Sequence, residues 1–283
     1  MVKAIVTLAV GERCWQPWHN FLAPGWRQWC ELHGYRLIVF DQPLDLSPRA
    51  QRRSPAWQKL LAMASPKLAG VEKALWIDAD VLIRPGAPDP WHCLEPGRVA
   101  MVRDVGSPLA EQPQWFKRTW CAILNNSLPA DQQSLQSYYN LWGFHAHNRI
   151  LRNSGVIAFS PQHHSALFRE IYGRWEDGGE GALYEMIPLN LELIQQDLIV
   201  DLDERFNQLA GVQRAVWISQ RVAVQELHGM GAVPLDEHNF LDLLLERSYF
   251  LHFAGAHQLM LEYLRRRNPV SYTHLTLPTT SRV

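Results

Sequence analysis

An α/β fold, with a mostly parallel sheet covered by helices on both faces, is predicted by three features of the sequence. Apolar runs of strand length alternate with segments of helical spacing from the first residues to Arg103. The first run is rich in Val and Ile without polar alternation, as a strand buried on both faces is. Polar residues gather where the runs end (Thr7, Asp41, Asp78, Asp80, Arg103, Asp104), and open α/β sheets bind ligands beyond the carboxyl ends of their strands.

Each element follows from its own pattern. Residues 3–10 form a first strand that stops at Gly11. Residues 15–33 carry Trp18, Phe21, Leu22, Trp26, Trp29 and Leu32 at helical spacing, and Gly34 is the stop signal. Residues 35–40 are a second strand, 55–68 a helix, 74–83 a third strand and 98–102 a fourth. The section 107–149 differs, being polar and aromatic with helical stretches (Trp115, Trp120, Tyr138, Tyr139, Trp142). It is expected to be an insertion over the sheet on the side of a second substrate. Further strands are expected at GVIAFS within 150–160 and at 249–253, with helices at 165–175 and 189–199.

The chain has 283 residues, enough for one domain with a sizeable core, and a single catalytic domain is expected over 1–269. The net charge of −1 and the lack of a basic run argue against a nucleic-acid partner. The four cysteines show no CxxC spacing and read as reduced thiols of a cytoplasmic protein. No segment has the apolar length of a membrane span, and the start reads as a strand rather than a signal peptide. Residues 270–283, VSYTHLTLPTTSRV, have no period and resemble translated adapter sequence. That tail is expected to be non-native, with the true C-terminus missing.

The run ALWIDADVLIRP, residues 74–85, sets two carboxylates in an apolar block. An unpaired buried carboxylate costs several kcal/mol, and two neighbours repel. Asp78 and Asp80, two apart on one side of a strand or its continuing turn, suit a hard divalent cation, Mn²⁺ or Mg²⁺. His252, at the end of an apolar strand, is a candidate third ligand. Asn153-Ser154-Gly155 combines hydroxyl-binding side chains with a glycine that allows close backbone approach. Gln195-Gln196-Asp197 interrupts an apolar run with polar groups. His145 and His147 have no accompanying ligand cluster, which speaks against zinc. The chain has no GxGxxG, Walker A or GxSxG motif, which lowers the case for a dinucleotide dehydrogenase, a P-loop NTPase or an α/β-hydrolase.

Together these residues resemble a GT-A-type, Rossmann-like glycosyltransferase over most of 1–265. WIDADVLI resembles the nucleotide-sugar Asp-x-Asp block. PAWQKLLAM is similar to the segment before it in family 8 and in the galactosyl- and mannosyltransferase-like families. NSGVIAFS, RFN at 205–207 and HFAG resemble further elements in the same order. The resemblance implies that Asp78, Asp80 and His252 hold Mn²⁺ or Mg²⁺. It implies that Thr7, Lys59, Asp78, Arg103, Asn153, Ser154 and Gly155 line the nucleotide-sugar and acceptor side, and that Gln196 and Asp197 are the catalytic-side polar groups. It also implies a UDP-linked donor, a saccharide or glycoconjugate acceptor, and transfer with retention. A basic helix begun by LEYLRRRNP would add peripheral contact with the inner face of a membrane.

Two positions depart from the family. Gln258 stands where family 8 carries a lysine, so Lys59, Arg103 and Arg84 are the candidates for that charge. Gln195-Gln196-Asp197 stands where Asp-Gln-Asp is common. The rival readings are another metal-dependent nucleotide or phosphate-ester enzyme, and a carbohydrate-binding protein that uses its tryptophans as sugar platforms.

Overall fold

The structure is a computed structural model that describes residues 1–95, 97–104, 151–178, 184–218 and 237–267. The insertion expected over 107–149, His145, His147 and the tail at 270–283 lie outside the described residues.

A six-stranded sheet forms the centre, in the order β2-β1-β3-β6-β5-β7. Its strands are β1 (Lys3–Leu8), β2 (Tyr35–Phe40), β3 (Lys73–Ile77), β5 (Val99–Arg103), β6 (Arg152–Phe159) and β7 (Ile199–Asp201). β6 is antiparallel to both of its neighbours, and the other pairings are parallel, so the sheet is mostly parallel as predicted. A second sheet of three strands is ordered β4-β9-β8, with β4 at Val81–Ile83, β9 at Phe250–His252 and β8 at Gln208–Leu209.

Hydrophobic layers cover both faces of the large sheet. On one face Trp18, Trp26 and Trp29 pack with Ile5, Leu75 and the small sheet's Phe250 and Leu251. Trp18 comes from a π-turn at Trp18–Leu22, which follows α1 (Glu12–Pro17), and Trp26 and Trp29 from α2 (Ala23–His33). On the other face Trp57, Leu60, Phe168 and Leu193 pack on Val6, Trp76 and Phe159. Here the cover is α3 (Gln58–Met63), α4 (Pro161–Arg174) and α5 (Met186–Gln195). Also described are a short helix at Pro48–Gln51, α6 over 210–218, α7 (Glu237–Arg247) and α8 (His257–Arg267). Among the described residues no helix is long and apolar enough to cross a membrane.

Three predicted elements are subdivided: the helix expected over 55–68 is a 3-10 turn at Pro55–Trp57, α3 and a 3-10 turn at Pro66–Leu68, and the other two break for local reasons. The helix expected over 15–33 passes through the π-turn, where the Ala23 N–H reaches back to Trp18 O. Pro24 follows at the first turn of α2 and has no N–H to continue an α ladder, so the wider turn absorbs the break. Gly34 closes α2 in the left-handed conformation at φ 71°, as its stop signal implied. The third strand, expected as one piece over 74–83, is two. β3 ends at Ile77, Asp78–Asp80 turn, and β4 joins the other sheet.

Asp89 ties the first strands to the loop after β4. It accepts from Lys3 Nζ at 2.8 Å, from the Tyr35 hydroxyl at 2.6 Å and from the Trp91 N–H at 3.0 Å. Burial raises the Asp89 pKa, but the bonds from Lys3 and Tyr35 outweigh it and hold the carboxyl below its ordinary 3.8. A depressed carboxyl stabilises fully above its unfolded pKa and loses that contribution as pH falls through the folded value. Asp89→Asn is therefore expected to lower stability at pH 7 by about 1–3 kcal/mol and to flatten the acid limb of the stability curve. Urea melts between pH 3 and 7 check this, and a variant as stable as the wild type at neutral pH would contradict it.

Candidate metal centre and flanking cavities

The turn between the two sheets builds the site. Asp78 N–H donates to Gly155 O at 2.8 Å, which extends the β3–β6 ladder by one rung. The chain then reverses, with Val81 N–H donating to Asp78 O at 3.1 Å. Trp26 Nε1 donates to Val81 O at 2.9 Å and pins the start of β4. The antiparallel β4–β9 register sets His252 opposite Val81, and Phe253 N–H donates to Asp80 O at 3.1 Å. The result is a cluster at the carboxyl end of β3. His252 Nε2 lies 3.2 Å from Asp80 Oδ1 and 3.9 Å from Asp78 Oδ2. One ligand atom from each of the three falls within 4.8 Å of the others, the one such group among the described residues. Two hard carboxylate oxygens with one borderline imidazole nitrogen fit Mn²⁺ or Mg²⁺.

The hydrogen bonds behind His252 fix its tautomer. The Gly155 backbone N–H can only donate, so the atom 2.9 Å from it is the oxygen of Asn153. Asn207 Nδ2 donates to that same oxygen at 2.9 Å, leaving Asn207 Oδ1 to face His252 Nδ1 at 2.8 Å. Nδ1 must then carry a ring proton, so Nε2 is the atom that faces the acids, donating to Asp80 when protonated and available to a cation when not. Gly155 is also required sterically, because a Cβ there would stand 2.2 Å from His252 Cε1.

Lys59 compensates the acids from the other side. Its buried Nζ lies 3.1 Å from Asp78 Oδ1, 2.9 Å from Glu185 Oε1, and 3.2 Å from both the carbonyl and the hydroxyl oxygen of Ser154. Ser154 Oγ donates to Glu185 at 2.8 Å, and Trp76 Nε1 donates to Asp78 Oδ1 at 2.7 Å. Burial disfavours the Lys59 charge, but Asp78 and Glu185 reverse that and raise its pKa. For Asp78, desolvation prevails over the pull of Lys59 and His252, and its pKa is raised. Asp80 is also partly desolvated, yet His252 outweighs this and lowers it. Burial opposes charge on His252, and the two acids raise its pKa nonetheless.

Most of the candidate residues converge here: Asp78, Asp80, His252, Lys59, Asn153, Ser154 and Gly155 are in one connected network. Of the three cations considered for the missing lysine charge, Lys59 is the one at the acids. Arg84 donates to Ser248 O at 2.7 Å, and Arg103 pairs with Asp201 at 2.6 Å. Gln258 bonds Glu262 at 3.0 Å on the exposed side of α8. Thr7 is buried in β1, with a hydroxyl that has no hydrogen-bond partner among the described residues. Its neighbour Leu8, not Thr7, reaches the cleft.

Gln196 and Asp197 are a correction. They end α5 just before β7, beside the amino end of β5, where Asp197 pairs with Arg98. β5 runs in the same direction as β3, so this is the sheet edge opposite the acids. The polar break in the apolar run is a helix C-cap, with Asp197 in the left-handed region at φ 51°. Glu185 is the buried acid that the sequence did not single out. Its signal is the acid immediately before the apolar helix MIPLNLELI.

Two cavities flank the cluster. A cleft of about 250 Å³ is lined by Leu8, Val10, Pro55, Ala56, Lys59, Trp76, Asp78 and Asp80, with Cys14 and His257 at its wall. A larger one of about 590 Å³ lies on the other side, where Asn207 is part of its lining.

No family model matches the chain, and no curated protein matches it. Among solved structures it is similar to a glycosyltransferase involved in glycosylation of the major capsid of PBCV-1. The identity is 13% over 94% of this chain and 100% of that one, with a TM-score of 0.55. It is also similar to the galactosyltransferase LgtC in complex with donor and acceptor sugar analogs, at 13% identity over 98% of each chain and a TM-score of 0.47. At 13% identity the first likeness shows the fold alone, a mixed α/β fold with a mostly parallel central sheet that this chain shares with that glycosyltransferase.

Proposed function

We propose that the protein is a metal-dependent glycosyltransferase. It moves a sugar from a nucleotide sugar, UDP-linked, to a hydroxyl of a saccharide or glycoconjugate, with retention at the anomeric centre. The single observation that carries this reading is the Asp78–Asp80–His252 cluster at the carboxyl edge of a glycosyltransferase-type sheet, with a cavity on either side.

Asp78, Asp80 and His252 would hold Mn²⁺ or Mg²⁺. The ion, when bound, supplies Lewis-acid stabilisation of the negative charge that develops on the departing diphosphate. The chain's own groups prepare the site. Lys59 and Trp76 hold the Asp78 carboxylate from two directions, so it need not reorganise when a ligand arrives. The Asn153–Asn207 relay keeps His252 Nε2 aimed at the position between the acids. Leu8, Val10, Pro55 and Ala56 give the smaller cleft an apolar lining suited to a base, next to the carboxylates that face the diphosphate side.

The test is incubation with Mn²⁺ and a panel of nucleotide sugars, with and without sugar acceptors. UDP release that depends on an acceptor supports transfer, and product anomeric configuration by NMR reads out retention. Cleavage with no acceptor preference points to the phosphate-ester enzyme. Failure of every nucleotide to stabilise the protein in the presence of metal would overturn the reading.

A further inference from the structure

We propose that Glu185 is a positioning residue of the metal centre: by sharing the Lys59 ammonium with Asp78, it sets how tightly Asp78, Asp80 and His252 hold a divalent cation. This rests on the metal-dependent reading and deepens it, with a residue that lines neither of the two cavities.

The fold fixes Glu185 in place. It is buried and stands immediately before α5. Asn190, in α5, accepts from the Arg152 N–H and donates to Arg152 O, both at 2.8 Å. That pair docks the helix on the start of β6, just before Ser154. Tyr184 lies in the left-handed region at φ 53°, a strained conformation for an aromatic residue, at the turn that leads into Glu185.

Charge then assigns its role. The Lys59 ammonium has three protons and meets three residues: Asp78 Oδ1 at 3.1 Å, Glu185 Oε1 at 2.9 Å and Ser154 Oγ at 3.2 Å. The Ser154 hydroxyl accepts from Lys59 and donates to the same Glu185 oxygen at 2.8 Å. Glu185 therefore holds the ammonium at shorter range than Asp78 does. His252 must be neutral to act as a ligand. The carboxylates of Asp78, Asp80 and Glu185 against the one ammonium of Lys59 then leave two net negative charges, which a divalent ion neutralises. With Glu185 neutral, one net negative charge would remain. Lys59 would act on Asp78 alone and oppose the cation. Lys59 and Glu185 are both buried, so salt screens this opposition little.

The experiment follows Mn²⁺ binding to the full chain by electron paramagnetic resonance, with thermal melts on every variant. Glu185→Gln keeps the size of the side chain and removes its charge, and is expected to weaken Mn²⁺ binding about tenfold or more. Removing one partner of a buried ion pair destabilises, so a second variant removes both. Lys59→Met combined with Glu185→Gln restores the net charge, and is expected to fold and to bind Mn²⁺ within about threefold of the wild type. A purely structural role for Glu185 demands the reverse, because losing Lys59 as well takes a further support from Asp78. Wild-type affinity in a folded Glu185→Gln protein overturns the proposal. So does a double variant that fails to fold, or one that binds Mn²⁺ about tenfold or more weaker than the wild type. In those cases Mn²⁺ binding by the wild type leaves the metal-dependent reading standing. A wild-type protein that binds no Mn²⁺, with or without UDP, overturns both.

Discussion

Asp80→Asn is expected to weaken Mn²⁺ binding by about 100-fold or more and to slow sugar transfer by about 10²–10³-fold, with the fold intact. The substitution keeps the shape and one acceptor oxygen but removes the charge 3.2 Å from His252. Asp78 cannot take over, because its Oδ1 already serves Lys59 at 3.1 Å and Trp76 at 2.7 Å. With Asp80 neutral, the remaining donors are one carboxylate and one imidazole, and they do not make a strong divalent site. Manganese titration followed by electron paramagnetic resonance, with and without UDP, measures the effect, and thermal melts establish that the variant is folded. Wild-type metal affinity in a folded Asp80→Asn protein would remove the ion from this location.

Gly155→Ala should damage both the site and the fold. The added methyl would stand 2.2 Å from His252 Cε1, 2.5 Å from Nδ1 and 3.0 Å from Asn153 Oδ1. His252 is buried, paired in the β4–β9 ladder and bonded to Asn207, so it cannot retreat without losing those contacts. Overpacking of this kind costs about 1–3 kcal/mol, and displacement of a ligand's supporting group costs about 10–100-fold in metal affinity. Gly25→Ala is the control. It sits in α2 with nothing within 4 Å of the added atom, and is expected to be neutral or slightly stabilising. Equal melting temperatures for the two variants would contradict the account.

Much of this was legible in the sequence for a physical reason. Two carboxylates in ALWIDADVLI require compensation wherever they sit, and that requirement pointed to a cation and to His252, which the structure places against both acids. The strand at 35–40 could be read because its apolar run Leu37–Phe40 is followed by Asp41 and preceded, past Tyr35 and Arg36, by Gly34. The division of 74–83 was not legible. Apolar residues on both sides of the acids give the same pattern for one strand and for two strands in different sheets. Glu185 was not legible either, since its partners Lys59 and Ser154 are remote in sequence. Gln196 and Asp197 misled because a C-cap and a ligand site both interrupt an apolar run with polar groups. Asn207 lay within the RFN element, but its role depends on the β8–β9 register, which sets Leu209 beside His252.

The seam at Asp78–Asp80 has a mechanical consequence. Asp78 is bonded through its backbone to β6 of the large sheet, and Asp80 through its backbone to Phe253, just past β9 of the small one. An ion gripped by both side chains and by His252 would act as a rivet between the two sheets, beside the Asn153–Asn207–His252 relay that already links them. Chelation would then loosen a joint rather than dissolve a core. The amides of β4 and β9 would exchange with solvent sooner, while those of β1 and β3 would keep their protection.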